Sequence, residues 1–158
     1  MPLSRRTALS LGLSALALAA CGGRRDRTPA AADPGNLHRG ETPEMRALIQ
    51  KWARIHDMPE SLLHRQIQHE SGYNAGARNG PYYGLLQILP QTARTMGYQG
   101  PPEGLLDADT NLHYAGKYLR GAWLVSGGNE DRAMMWFKKG YYYEAKRKGL
   151  LEETGLRG

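Results

Sequence analysis

The stretch PESLLHRQIQHESGYNAGARNGPYYGLLQI, residues 59–88, decides the fold. Pro59-Glu60 opens a helix: the fixed φ of proline suits a first turn, and an acid there faces the positive end of the macrodipole. Leu62, Leu63, Gln66, Ile67 and Glu70 follow along it. Ser71-Gly72 closes it, since glycine adopts a left-handed C-terminal conformation without steric penalty. Leu63, Ile67 and Glu70 stand at i, i+4 and i+7, on one stripe. A carboxyl group on an apolar stripe, in the last turn where the macrodipole is negative, is favoured in its protonated form by both effects. That is the form a general acid needs. The alternative is a helix-end glutamate turned out to solvent. Residues 72–84, rich in Gly, Asn and Tyr, read as a loop.

Outward from this stretch the helical signals continue. Thr42-Pro43-Glu44 is a helix start, with a capping hydroxyl, a first-turn proline and an acid, and Met45, Leu48, Ile49 and Trp52 recur at helical spacing behind it. Pro90 begins a short helix that stops at Gly97. Residues 98–108, with Gly100-Pro101-Pro102 inside, read as a loop. Asp109 or Thr110 caps a helix with Leu112, Ala115, Gly116, Leu119 and Trp123 on one face, and Gly127-Gly128-Asn129 breaks the chain. A last helix is expected from about Glu130 through Lys146. No run of alternating apolar residues asks for a sheet, and no internal repeat is found. Residues 42–158 therefore form one mainly α domain.

The N-terminus has a different character. Arg5-Arg6 precedes an apolar stretch from about Ala8 to Ala20, too short to span a bilayer as a stable helix. The run Leu18-Ala19-Ala20-Cys21 resembles the lipobox of bacterial lipoproteins, in which the cysteine becomes the lipidated N-terminus. Ser4-Arg5-Arg6-Thr7-Ala8-Leu9 loosely resembles a twin-arginine signal. Residues 1–20 thus read as an export signal. Residues 21–41, the lipidated cysteine followed by a Gly-, Pro- and charge-rich stretch, read as a disordered linker. The expected location is the periplasm, and Gly22 in place of aspartate after the cysteine favours the outer membrane. Cys21 is the only cysteine, so no intramolecular disulfide holds the fold.

The whole chain carries 21 basic and 15 acidic side chains, a formal +6, and the leader holds two of the arginines and no acid. This mild basicity suits acidic wall and lipid surfaces; an exported chain is not expected to meet nucleic acid. The five histidines show no metal-ligand spacing, and no phosphate loop or nucleophile elbow is present. No metal and no cofactor is implied. Lys138, Lys139, Lys146, Arg147 and Lys148 read as a solvated face, or as a surface for anionic wall polymers.

Three segments in order, Glu70-Ser71-Gly72-Tyr73-Asn74, then Tyr83-Gly84-Leu85-Leu86-Gln87-Ile88, then Asp109-Thr110-Asn111-Leu112 with Tyr118-Leu119, carry a resemblance to the goose-type-lysozyme-like lytic transglycosylases, glycoside hydrolase family 23. It covers about residues 59–125, with Leu86 where methionine is usual. The resemblance implies a lysozyme-like helical fold, peptidoglycan glycan strands as substrate, and Glu70 as the catalytic acid. It implies Gln87 in the sugar cleft and makes Asn111, at the start of the next core helix, a further substrate-binding candidate. Cleavage by this family lies between N-acetylmuramic acid and N-acetylglucosamine. The 6-hydroxyl of the former attacks its own anomeric carbon to leave a 1,6-anhydro sugar.

Residue chemistry adds further substrate-binding candidates. Gln87 carries both donor and acceptor for sugar hydroxyls and N-acetyl groups, or is a surface glutamine. Gly84 lets backbone approach a ligand, and Ser71 bonds a sugar or ends the helix. Tyr73, Tyr82 and Tyr83 offer stacking faces or core packing. No acid lies between residues 71 and 102, whereas ordinary glycosidases use two carboxylates; Glu103, Asp107 and Asp109 are the nearest. The resembling family carries a late tyrosine whose hydroxyl contacts the catalytic glutamate. Phe137 stands there in the alignment, leaving Tyr141, or Tyr142 or Tyr143, to supply it. Two further readings stay open: a hydrolytic muramidase of the same fold, and a non-catalytic glycan-binding lipoprotein that scaffolds envelope protein partners. The leader makes a direct forecast. Replacing Cys21 with Ser moves the protein from the membrane fraction to the soluble fraction; unchanged partitioning defeats the lipid anchor.

Overall fold

A computed structural model describes residues 36–157. The expected leader, the lipidated Cys21 and most of the expected linker lie outside the described residues. The helix Ala108–Ser126 is the element against which the others pack. Its cap is Asp107, whose Oδ1 accepts the Thr110 N–H at 2.8 Å, and not Asp109 or Thr110 as expected. The difference has a use: Asp109 Oδ1, freed from capping, accepts from Lys51 Nζ and Trp52 Nε1, each at 2.7 Å, tying this helix to the first. Leu112, Ala115, Leu119 and Ala122 recur at three- and four-residue spacing along its length and are fully buried.

In chain order the elements are α1, Pro43–Ile55; α2, Glu60–Glu70; the strands β1, Arg78–Asn79, and β2, Tyr82–Tyr83; α3, Pro90–Thr95; a 3-10 turn, Pro102–Leu106; α4, Ala108–Ser126; α5, Glu130–Lys139; and α6, Tyr142–Lys148. The fold is mainly α, as the sequence requires. The Thr42 hydroxyl accepts the Met45 N–H at 3.2 Å to start α1. Leu62, Leu63 and Ile67 of α2, which packs on α1, are fully buried. At the end of α2 the N–H groups of Ser71 and Gly72 both donate to the Ile67 carbonyl, each at 3.0 Å, and Gly72 is left-handed at φ +57°.

Three expectations are corrected. A small antiparallel pair exists, with Arg78 opposite Tyr83 and Asn79 opposite Tyr82; four residues are too few to leave an alternating pattern. The expected loop over 98–108 contains the 3-10 turn. The expected helix 130–146 is broken at Gly140, whose φ of +81° and ψ of 147° no helical residue adopts. The break turns Tyr141 inward, where its ring packs against Gly121 and with Ala122, Val125 and Ala145 forms a second apolar cluster. One continuous helix would leave that ring no such place.

The packed chain also begins before residue 42. Glu41 has a fully buried carboxylate that accepts from Arg46 Nε and Nη2, each at 2.6 Å, and from the His38 N–H at 2.9 Å. The His38 ring stacks on Tyr73, which shares a hydrogen bond of 2.9 Å with His64 Nδ1. Residues 38–41 are thus a strap across α1 and α2. Burial pushes the Glu41 carboxyl up, but the Arg46 and His38 hydrogen bonds and the charges of His64 and Arg46 outweigh it and hold the group below the ordinary carboxylate range. A depressed folded-state value stabilises the fold above the unfolded carboxyl range and is lost as pH falls through it. Glu41→Gln is therefore expected to destabilise the domain by about 3 kcal/mol at pH 7. In urea titrations at pH 7 and at pH 3 the gap between variant and parent should narrow at the acid end. A gap that widens there contradicts the ionised pair.

Candidate active site

Four pieces of chain converge on one cleft of about 480 Å³. The last turn of α2 contributes His69 and Glu70; β1 and β2 contribute Asn79 and Tyr82. Gln87, Ile88, Leu89 and Thr92 line it too, with Tyr118 of α4, and Phe137, Lys138 and Lys139 of α5 followed by Gly140. Glu70 is the only acidic residue lining it among the described residues. Its side chain is 23 % exposed, while its stripe-mates Leu63 and Ile67 are fully buried. The carboxyl therefore sits at the rim of the core, between the two positions the stripe left open. Oε1 accepts from Gln66 Nε2 at 2.9 Å, and His69 Nδ1 stands 3.4 Å from the same oxygen. Oε2 has no partner among the described residues.

Gln66 is a residue the sequence reading passed over as helix stripe. It lies four residues before Glu70, the spacing at which helical side chains meet. It is 1 % exposed, and its Oε1 is buried without a partner. An unsatisfied buried acceptor is unfavourable by about 1–3 kcal/mol. Turning the amide over would satisfy nothing, since it would set an acceptor against the Glu70 carboxyl. Gln66 is thus held with its donor committed to the carboxyl.

Of the other sequence candidates, Gln87, Phe137 and Tyr82 line the cleft, and Ser71, Tyr73, Tyr83, Gly84, Asn111 and Tyr141 do not. Gln87 is placed there but its amide donors are already used, by the Gly84 carbonyl at 2.8 Å and the Ala77 carbonyl at 3.1 Å. Both partners are acceptors, so the NH₂ faces inward and only Oε1 remains for a ligand. Asn111, fully buried, is a clamp and not a sugar ligand. Its Oδ1 accepts the Leu86 N–H at 3.0 Å, and its Nδ2 donates to the carbonyls of Tyr83 at 2.9 Å and Leu105 at 2.8 Å. Gly84 is glycine for the same clamp. At φ +75°, a Cβ there would collide with the Asn111 amide and the Leu105 carbonyl, so the close approach is to protein and not to ligand.

Ser71 ends α2, its hydroxyl donating to the Ile67 carbonyl at 3.3 Å. Tyr73 is buried on the strap side, where burial and then the Glu41 charge push its hydroxyl up to about 12. Tyr83 is buried beneath the Arg78 guanidinium, 4.7 Å from its ring centre. Tyr141 is 1 % exposed and its hydroxyl donates to the Tyr118 carbonyl at 2.8 Å, so it does not supply the hydroxyl that Phe137 lacks.

Tyr118 of α4 shares the cleft lining with Glu70. Its ring meets Phe137 edge-on at 5.3 Å, and burial pushes its hydroxyl up, which keeps it a donor at neutral pH. The sequence held a signal for it: Tyr118 flanks the apolar spine of α4, one residue before Leu119. Tyr82, 42 % exposed, adds a second ring. The nearest acids of the 103–109 segment stay out of the cleft lining. Asp107 caps α4, and Asp109 is held below the ordinary carboxylate range by its hydrogen bond from Lys51. His38, Glu41 and His64 bring ligand atoms within 4.8 Å of one another, the one metal-like grouping among the described residues. Both Glu41 oxygens there accept from Arg46, so a guanidinium already stands where a cation would.

Residues 47–142, more than half of the chain, match the family described as Transglycosylase SLT domain. No solved structure matches the chain. The matched span begins inside α1 and ends at the start of α6, and takes in every residue that lines the cleft.

The clamp makes a forecast. Asn111→Ala strands one buried N–H and two buried carbonyls, so a loss of about 3–5 kcal/mol is expected. Chemical denaturation measures it. A loss below about 1 kcal/mol would return Asn111 to the list of ligand-binding residues.

Proposed function

The chain belongs to the transglycosylase SLT domain family, and from that premise we propose that it cleaves peptidoglycan strands between N-acetylmuramic acid and N-acetylglucosamine, leaving a 1,6-anhydro end. The domain is of the peptidoglycan lytic transglycosylase type and its substrate is peptidoglycan. The anhydro product is the finer reading, and one observation carries it: among the described residues a single carboxyl group, Glu70, lines the cleft. A two-carboxylate hydrolysis has no second acid on the cleft wall to draw on.

In this reading Glu70 Oε2 carries the proton to the glycosidic oxygen as the bond to the muramic anomeric carbon breaks. The positive charge that develops is met by the substrate's own 2-acetamido group. The carboxylate then takes the proton of the muramic 6-hydroxyl as that oxygen bonds to the anomeric carbon. One proton leaves Glu70 and one returns, and no water is consumed. Gln66 fixes Oε1, which keeps Oε2 aimed for both transfers, and Tyr118 and Tyr82 provide faces for sugar rings. Likeness to glycoside hydrolase family 23, a periplasmic site of action, and an acyl anchor on Cys21 belong to the same proposal.

Glu70→Gln tests it. The amide retains an acceptor for Gln66, so the melting temperature should stay within about 2 °C of the parent. Release of anhydro-muropeptides from sacculi should fall by about 10⁴-fold or more, because no second carboxylate shares the work. Mass spectrometry reads the product directly. Retained cleavage removes Glu70 from the chemistry, and reducing ends from the parent enzyme convert the reading to hydrolysis.

A further inference from the structure

Some basic residues of the C-terminal third are held in pairs. Arg147 donates to Glu144 through Nε at 2.9 Å and Nη2 at 2.7 Å, and Lys148 Nζ donates to the Val125 carbonyl at 2.7 Å. These are structural or surface pairs. Lys138 and Lys139 differ: both line the cleft, and neither makes a hydrogen bond or ion pair with a described residue. Adjacent residues on a helix point about 100° apart. Both nevertheless line the cleft, in the last turn of α5 before Gly140, itself a lining residue.

Two neighbouring lysines on one cleft lining repel each other, and Glu70 is the only acid among the described residues that line it. When Glu70 carries its proton, as the reacting form requires, the wall is doubly positive with nothing to offset it. A glycan built of N-acetylglucosamine alone has no charge to place against that wall. Muramic acid does: its 3-O-lactyl group ends in a carboxylate on a bare strand and leads to the carboxylates of a stem peptide on a substituted one.

We infer that Lys138 and Lys139 form a carboxylate-reading subsite for the 3-O-substituent of the muramic residue, which selects muramic strands over neutral polymers of N-acetylglucosamine. This rests on the reading of the cleft as the glycan site. Their place in the last turn of α5, next to the negative end of its macrodipole, explains why lysines are tolerated there before a ligand arrives.

The test is calorimetric binding to the full-length Glu70→Gln protein, which does not turn the ligands over. Three tetrasaccharide probes are used: chitotetraose, an alternating N-acetylglucosamine–N-acetylmuramic acid tetramer with free lactyl groups, and the same tetramer bearing stem peptides. At least one carboxylated tetramer should bind about tenfold tighter than chitotetraose at low salt, with the ratio shrinking as salt rises. Adding K138Q and K139Q should bring the ratio to about one. Whichever carboxylated tetramer loses more names the source of the carboxylate. Equal affinities in the starting protein, or a ratio that survives the lysine substitutions, overturns the subsite while leaving the glycan cleft standing. Failure of all three probes to bind rejects the glycan cleft itself, and the subsite with it.

Discussion

Asn111 makes three hydrogen bonds to backbone from a fully buried position at the start of α4, and the cleft has the shape it has because of them. One amide holds the turn after β2 through Tyr83 and Leu86 and holds the 3-10 turn through Leu105. Segments distant in sequence are thereby fixed to the central helix at a single point. The turn closes on itself as well, with Tyr83 and Ile88 exchanging N–H and carbonyl bonds of 3.1 Å. Gln87 sits within it at a φ of +46°, a conformation that such anchoring has to hold in place. Gly84 and Asn111 are thus one device: the missing Cβ makes room for the amide, and the amide makes the turn rigid.

The cleft is correspondingly asymmetric. One wall is α2, rigid and buried, ending in a carboxyl whose one oxygen is held by Gln66. The rest of the lining includes rings and cations, from Tyr118 and the end of α5. A glycan lying in the cleft meets an acid as well as these rings and cations. The buried Gln66 acceptor without a partner is the local sacrifice that this arrangement requires, and sites that do chemistry are where such departures from full satisfaction concentrate.

Much of this was legible in the sequence, for identifiable reasons. Helix starts at or beside a proline were read correctly for α1, α2 and α3, and helix ends at glycine for α2 and α3, because those signals are local. Glu70 and Gln87 were found because they punctuate recognisable segments. What escaped depended on contacts between distant residues. Asn111 and Gly84 look like ligand-binding residues in a motif, and only their mutual packing shows that they serve the backbone. Tyr141 looks equal to Tyr142 and Tyr143 in a run of three, yet the turn at Gly140 buries it and leaves the other two exposed, 47 % and 82 %. Lys138 and Lys139 are indistinguishable in sequence from Lys146 and Lys148 until that same turn brings them to the cleft. The strap at 38–41 was hidden by composition, since a buried Glu41 is readable only beside the Arg46 that meets it.

That strap has a mechanical meaning. Whatever pulls on the chain N-terminal to residue 36 enters the domain through Glu41 and Arg46 and is passed to α1 and, through His64, to the middle of α2. These helices are joined by fully buried leucines and resist displacement as one piece. The β1–β2 segment and the turn behind it, which also line the cleft, lie off this line of force. Tension on the chain is therefore delivered to the helix that ends in Glu70, at its middle, and not to the β1–β2 side of the cleft.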